Sequence, residues 1–295
     1  MRLIIQPDDG LTPLIQAVKR AKKCIDIVVF RFDRAELEKA IAAAVQRGVV
    51  VRALIAHTNR GGERNLRKLE MRLLEAGVTV SRTADDLTRY HGKMMIVDDT
   101  VYVLGFNYTR LDIERSRSFG IATRDKRMLK EANSLFTADS TRQPYTPGYD
   151  RLVVSPESSR DLLTAFIRKA KRELLIYNAK VSDRLSLRAL QERLKAGVKI
   201  RIIGRADKRL SGAETRKLGE LRLHVRAIVR DGEAAFVGSQ SLRKIELDGR
   251  REVGAIAVDR RIARKIQAVF ESDWADSAPR DAEPEVKAEA LSAAR

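Results

Sequence analysis

The chain contains three histidines, and two of them stand in octets that align residue for residue. His91-Gly92-Lys93-Met94-Met95-Ile96-Val97-Asp98 and His224-Val225-Arg226-Ala227-Ile228-Val229-Arg230-Asp231 each place a cation two residues after the histidine and an aspartate seven after it. The match extends far beyond the octets. Ala21 with Ala170 and Gly48 with Gly197 are 149 apart, the histidines and aspartates 133 apart, and Gly120 with Gly254, Asp125 with Asp259 and Phe136 with Phe270 134 apart. Such offsets across unlike residue types mark a duplicated unit. The second copy is about sixteen residues shorter, and the loss falls opposite residues 57–77. Two like halves must therefore be folded from one chain.

Each half reads as alternating helix and strand. Leu11, Leu14, Ile15 and Val18 recur at helical spacing, so residues 11–23 form an amphipathic helix with a basic end. A strand is expected over 25–30, a helix over 35–47 stopped at Gly48, and a buried parallel strand in the β-branched run 49–55. The polar stretch His57 to Glu63 then lies at the C-terminal end of that strand, where an open α/β sheet builds its binding crevice. Arg60 and the pair Gly61-Gly62 could offer a guanidinium and backbone N–H groups to a phosphate, although a solvated loop is the simpler reading. A helix over 64–76 and a strand over 78–82 lead to His91. Beyond Lys93 come a strand, a turn at Asp98, a strand over 101–106, a loop over 107–117, a strand over 119–123 and a helix capped by Asp125. Prolines and small polar residues over 137–160 mark a connection. The division is a first domain over 1–140, a connecting segment over 141–158, a second domain over 159–274 and a disordered tail over 275–295.

Charge narrows the partner. With 58 basic and 40 acidic residues the formal charge is +18, which favours phosphate-bearing ligands, nucleic acid or anionic lipid. The single cysteine, Cys24, excludes an internal disulfide framework. The N-terminal apolar run is too short for a signal peptide, and no stretch reaches the roughly 20 apolar residues of a membrane span. The expectation is a cytoplasmic monomer, with peripheral contact to an anionic membrane open to it.

On a strand, residues two apart share a face, so His91 points with Lys93 and His224 with Arg226. Asp98 and Asp231 lie at odd separations from their histidines and are assigned to the hairpin turn and strand support. Halves closing face to face would pool two imidazoles and two cations. That set suits displacement at a phosphodiester: one histidine attacks phosphorus, the other protonates the leaving oxygen and later activates water or an alcohol, and the cations hold the phosphoryl oxygens. No metal or other cofactor is expected.

The two octets resemble the H-x-K-x4-D repeats of the phospholipase D superfamily, each followed there by a G-[GS]-x-N-type turn. HGKMMIVD matches fully, whereas HVRAIVRD carries Arg226 for the lysine. Gly238-Ser239-Gln240-Ser241 matches the turn with Ser241 for asparagine, and Leu104-Gly105-Phe106-Asn107 is its first-half counterpart with Asn107 in place. Residues 152–156 and 176–183 look like bacterial phospholipase D-like and cardiolipin synthase-like proteins. The resemblance implies two tandem α/β/α domains related by a pseudo-twofold axis, with the active site at their interface. His91, Lys93, His224 and Arg226 would be catalytic, and Asn107, Ser239, Ser241 and Glu252 would bind phosphate or support the site. Glu252 stands where the family places a histidine-orienting acid. Its first-half counterpart is Ser118, which leaves His224 with an acid and His91 without one unless Glu114 substitutes. His91, in the intact octet, is read as the nucleophile.

Three functions follow from these residues. A phosphodiesterase or phosphatidyltransferase acting on phospholipid comes first. A nuclease, for which +18 is apt but 5% aromatic content gives little stacking platform, comes second. A non-catalytic binder of nucleic acid or anionic lipid with a degenerate second motif is third.

Overall fold

The computed structural model describes residues 1–58 and 63–279. The first half comprises β1 (Arg2–Gln6), α1 (Thr12–Arg20), β2 (Cys24–Val29), α2 (Ala35–Gln46), β3 (Val50–Ile55), α3 (Glu63–Glu75), β4 (Thr79–Arg82), β5 (Arg89–Tyr90), β6 (Met94–Val97), β7 (Thr100–Leu104), α4 (Arg110–Glu114), β8 (Ser116–Thr123) and α5 (Lys126–Thr141). The second comprises β9 (Leu152–Ser155), α6 (Ser159–Arg168), β10 (Glu173–Val181), α7 (Arg184–Lys195), β11 (Lys199–Ala206), β12 (Glu214–Lys217), β13 (Arg222–Leu223), β14 (Arg226–Arg230), β15 (Ala234–Gly238), α8 (Lys244–Asp248), β16 (Arg250–Ala257), α9 (Arg260–Ala275) and β17 (Ala278–Pro279).

The duplication read from sequence is visible element by element. One sheet runs β1-β8-β7-β6-β2-β3-β4, and the other repeats that order as β9-β16-β15-β14-β10-β11-β12 and adds β17. β2 pairs parallel with β3 and β10 with β11, joined by α2 and α7 as the β-branched runs require. Gly48 and Gly197 end those two helices at φ of +84° and +80°, a conformation open to glycine at little cost. Asp125 and Asp259 cap α5 and α9 through the backbone N–H groups of Met128 and Arg261. Between β11 and β12 the second half has only a 3₁₀ turn, Lys208–Leu210, where the first has α3. That accounts for the missing sixteen residues.

Elsewhere composition misled. The loop expected over 107–117 contains α4 and the start of β8, and the connecting stretch contains β9. Leu152, Val153, Val154 and Ser155 are all buried because β9 closes the edge of its sheet against β16, as β1 closes the first sheet against β8. In the tail, β17 pairs with β12, while residues 280–295 lie outside the described residues, as do Asn59, Arg60 and the Gly61-Gly62 pair.

Three apolar clusters stack the layers. One packs α1, α2 and α3 on the outer face of the first sheet, through Leu14, Ile41, Ile55 and Leu69. Its counterpart packs α6 and α7 on the second, through Leu163, Leu190 and Ile202. The third lies between the sheets and draws on both halves: Val103, Phe119 and Leu135 with Val237, Val253 and Phe270. Asp273 fastens the same interface, receiving Arg117 Nε at 2.9 Å and the Tyr177 hydroxyl at 2.6 Å. The protein is thus two α/β/α units that share one buried face.

The strands that lead into the histidines change sides. β5 leaves its own sheet and pairs parallel with β16, Arg89 opposite Arg250. β13 does the reverse, pairing parallel with β8, Arg222 opposite Ser116. The His91 N–H continues the exchange by donating to Arg251 O at 2.7 Å. Each histidine is therefore delivered by one half onto the sheet of the other.

Candidate active site

That exchange decides which acid meets which histidine. Glu252, one residue along β16 from Arg251, accepts a hydrogen bond from His91 Nδ1 at 2.8 Å. The assignment of Glu252 to His224, its neighbour in the same repeat, is corrected here: sequence counting follows the repeat, whereas the exchanged strand carries the acid across the interface. His224 instead has Nδ1 3.5 Å from Asp112 Oδ2. Glu114 does not substitute for an acid at either histidine, since its carboxylate is exposed and bound to Arg34 and Arg110.

Asp112 is the residue that sequence reasoning missed. It lies on α4, capped by Thr109, and is 2% exposed. Its Oδ2 takes the backbone N–H of Asn107 at 2.8 Å and the Asn107 Nδ2 at 2.6 Å, and its Oδ1 takes Arg222 Nη1 at 2.7 Å. A signal was present: Asp112 and Glu246 are 134 apart, each five residues beyond the turn residue Asn107 or Ser241. Glu246 Oε2 receives the Ser241 N–H at 2.8 Å, the same bond in the second half. Phe30 was also missed; its ring meets His91 edge-on at 4.6 Å.

The cations lie beside the imidazoles as strand parity requires. Lys93 Nζ is 2.7 Å from His91 Nε2 and donates to His91 O at 2.6 Å. Arg226 Nη1 donates to His224 O at 2.9 Å and its Nε to Ser241 Oγ at 3.1 Å. Ser239 uses its hydroxyl on the backbone of Val253, accepting from N at 3.1 Å, and so braces the strand that carries Glu252. The halves meet closely here: a Cβ on Gly105 would lie 3.1 Å from Gly238 O.

Burial sets the charge states. His91 and His224 are 8% and 7% exposed, and Lys93 and Glu252 are fully buried. Burial, reinforced by the charges of Lys93 and Arg226, lowers His91 well below the usual histidine range. His224 is likewise lowered by burial, with Asp112 pulling the other way and Arg226 and Lys93 adding to the fall. Burial brings Lys93 down to about 7 against the pull of Glu252. It raises Glu252, whereas Asp112 stays below the carboxylate range because His224, Asn107 and Arg222 outweigh its burial. In the free protein two neutral imidazoles, with Glu252 bound to His91 Nδ1 and Asp112 3.5 Å from His224 Nδ1, thus lie beside Lys93 and Arg226.

Asp98 and Asp231 lie elsewhere. Each occupies the hairpin turn with positive φ, +50° and +55°. Asp98 accepts the N–H groups of Lys22, Lys23 and Cys24, and Asp231 those of Lys171, Arg172 and Glu173. They tie each turn to the start of the neighbouring antiparallel strand, β2 or β10, and touch neither histidine. His57 is exposed, and its backbone N–H donates to Thr83 Oγ1.

The family model for "Cardiolipin synthase, PLD-like domain" matches the chain twice, over residues 14–140 and 163–274. The chain belongs to the phospholipase D superfamily. No curated protein matches the sequence. Among solved structures, the fold is similar to polyphosphate kinase from Porphyromonas gingivalis, at TM-score 0.76 and 17% identity over 92% of this chain and 46% of that one. This chain therefore spans about half the length of that kinase. It is also similar to phosphatidylserine synthase from Haemophilus influenzae Rd KW20, at TM-score 0.69 and 11% identity over 93% of this chain and 85% of that one. At these identities the likeness is one of fold. The family and its architecture support phosphoryl-transfer chemistry. Among the described residues no helix is long and apolar enough to cross a membrane.

Proposed function

We propose that this protein is a metal-independent phosphodiesterase or phosphatidyltransferase that works through a covalent phosphohistidine on phosphatidyl substrates. The observation that carries this reading is the buried Glu252–His91 bond at 2.8 Å with Lys93 at the other ring nitrogen. Glu252 fixes the tautomer with hydrogen on Nδ1, so the Nε2 lone pair is the nucleophile. An incoming phosphoryl group takes Lys93 onto its own oxygens and frees Nε2. As the N–P bond forms, the P–O bond to the leaving alcohol breaks, and His224, which takes up a proton on Nε2 when the phosphate anion enters beside it, gives that proton to the leaving oxygen. His224 then removes a proton from water or an acceptor alcohol, whose oxygen displaces His91 from phosphorus. The cations stabilise charge that grows on the phosphoryl oxygens, in a site screened from water.

One feature favours lipid over nucleic acid. Leu111 and Ile245, equivalent residues on α4 and α8, are 48% and 39% exposed, each directly before the site acid Asp112 or Glu246 and directly after an exposed cation, Arg110 or Lys244. Apolar side chains beside cations suit the interface of an anionic bilayer.

The test is turnover in EDTA of phosphatidylglycerol and phosphatidylcholine vesicles, of single- and double-stranded DNA and RNA, and of the soluble diester bis(p-nitrophenyl) phosphate, with His91→Ala beside the wild type. Lipid and soluble diester should turn over and the variant should be inert. Nucleic-acid cleavage without lipid turnover would replace the substrate class with a nuclease, and loss of all activity in EDTA would remove the metal-free mechanism.

A further inference from the structure

Three of the side chains in which the second half-site departs from the first fit one another. Lys93, Asn107 and Asp112 in the first half correspond to Arg226, Ser241 and Glu246 in the second. The backbone scaffold is the same in both. The N–H of the turn residue meets the acid at 2.8 Å in each, and the cation reaches the carbonyl of its own histidine, Lys93 at 2.6 Å and Arg226 at 2.9 Å. Only the side chains have been redistributed. Asn107 fills its place with an amide bound to Asp112 at 2.6 Å. Ser241 is shorter, and the guanidinium Nε takes up the room, bonding Ser241 Oγ at 3.1 Å. Glu246, one methylene longer than Asp112, faces the serine N–H without help from a turn amide.

We propose that Arg226 and Ser241 are a matched pair, exchanged together for the lysine and asparagine of the other half-site, with Ser241 a positioning residue that sets how the Arg226 guanidinium, through Nη2, meets the phosphate the proposed function already gives it. Nε and Nη1 are held by Ser241 Oγ and His224 O, and Nη2 has no hydrogen bond among the described residues. A guanidinium held at two of its three nitrogens keeps its plane fixed, which a lysine ammonium cannot do. On this pairing neither change should be tolerable alone. Lysine at 226 leaves the wholly buried Ser241 hydroxyl without its donor, and asparagine at 241 forces an amide into space that Nε occupies. The second half-site is then a working phosphate clamp and not a decayed one.

The inference rests on the phosphodiester reading, and a four-variant cycle separates the two. Wild type, Arg226→Lys, Ser241→Asn and the double variant are compared for hydrolysis of bis(p-nitrophenyl) phosphate and for affinity toward inorganic phosphate by calorimetry, each after a thermal melt shows it folded. Each single change should lower kcat/KM and phosphate affinity by about tenfold or more, and the double variant should return to within about threefold of wild type, the non-additivity expected of groups in contact. Additive losses, or an Arg226→Lys variant that binds phosphate as well as wild type, would overturn the pairing. If no diester turns over, the functional reading falls while the phosphate-affinity cycle still decides the inference; a wild type that does not bind phosphate overturns the clamp itself.

Discussion

Glu252 orients His91 from 161 residues away, across the interface between the repeats, through a 2.8 Å bond that neither half could form alone. His224 is served less directly, by an Asp112 that lies 3.5 Å off and shares its oxygens with Asn107 and Arg222. Glu252→Gln should therefore cost about 10²- to 10³-fold in kcat with the fold intact, the scale of a lost general-base partner. Asp112→Asn should cost only about tenfold, and Glu114→Gln less than about twofold. Steady-state kinetics on a soluble diester checks the order, and equal losses at 252 and 114 would reject it.

The halves were legible in sequence because an offset between residues survives folding unchanged. Gly48 and Gly197 terminate equivalent helices, and His91 and Lys93 share a face, as period and parity require. The acid partners were not legible, because strand exchange is a fact of topology: nothing in residues 86–93 says that β5 will pair with β16. Composition failed at β9 for a related reason. Leu152 to Ser155 is a short run of three apolar residues and a serine between prolines, and it is a strand only because an edge was waiting for it. Asp112 sat in a stretch read as loop, and only its offset to Glu246 could have drawn attention to it.

The depressed Lys93 gives the pH dependence a definite sign. Its ammonium binds phosphate, and the free enzyme loses that proton as pH rises through about 7. Since kcat/KM reports the free enzyme, it should fall above about pH 7. Lys93→Arg should lower the maximum and carry the alkaline limb beyond about pH 9, because a guanidinium does not titrate there. A limb that stays in place in the variant would show that Lys93 does not set it.

Asp98 and Asp231 should matter for stability and not for chemistry. Each holds three backbone N–H groups, and despite partial burial those donors keep both carboxyls below their ordinary range. A group whose folded pKa is lowered stabilises above its unfolded pKa, about 3.9 for aspartate, and loses that contribution as pH falls through the folded value. Asp98→Ala should lower Tm by on the order of 5 °C at pH 7, with the gap narrowing in acid and kcat at low temperature within about threefold of wild type. A large kcat loss in a fully folded variant would place Asp98 in the mechanism.

The exposed apolar pair gives a way to separate surface binding from chemistry. Replacing both Leu111 and Ile245 with aspartate removes apolar area and adds charge that an anionic leaflet repels. Turnover of phosphatidylglycerol vesicles should fall by about tenfold or more while bis(p-nitrophenyl) phosphate hydrolysis stays within about twofold. Parallel losses on both substrates would mean that these residues support the site itself.

The covalent intermediate is the most direct test of the mechanism. Substrate mixed with enzyme in EDTA, quenched in alkali to preserve a phosphoryl–nitrogen bond and mapped by mass spectrometry, should yield an adduct on His91. The adduct should accumulate in His224→Asn, where the breakdown step lacks its base, and be absent from His91→Asn. Turnover without any adduct, or an adduct on His224 in place of His91, would contradict the account.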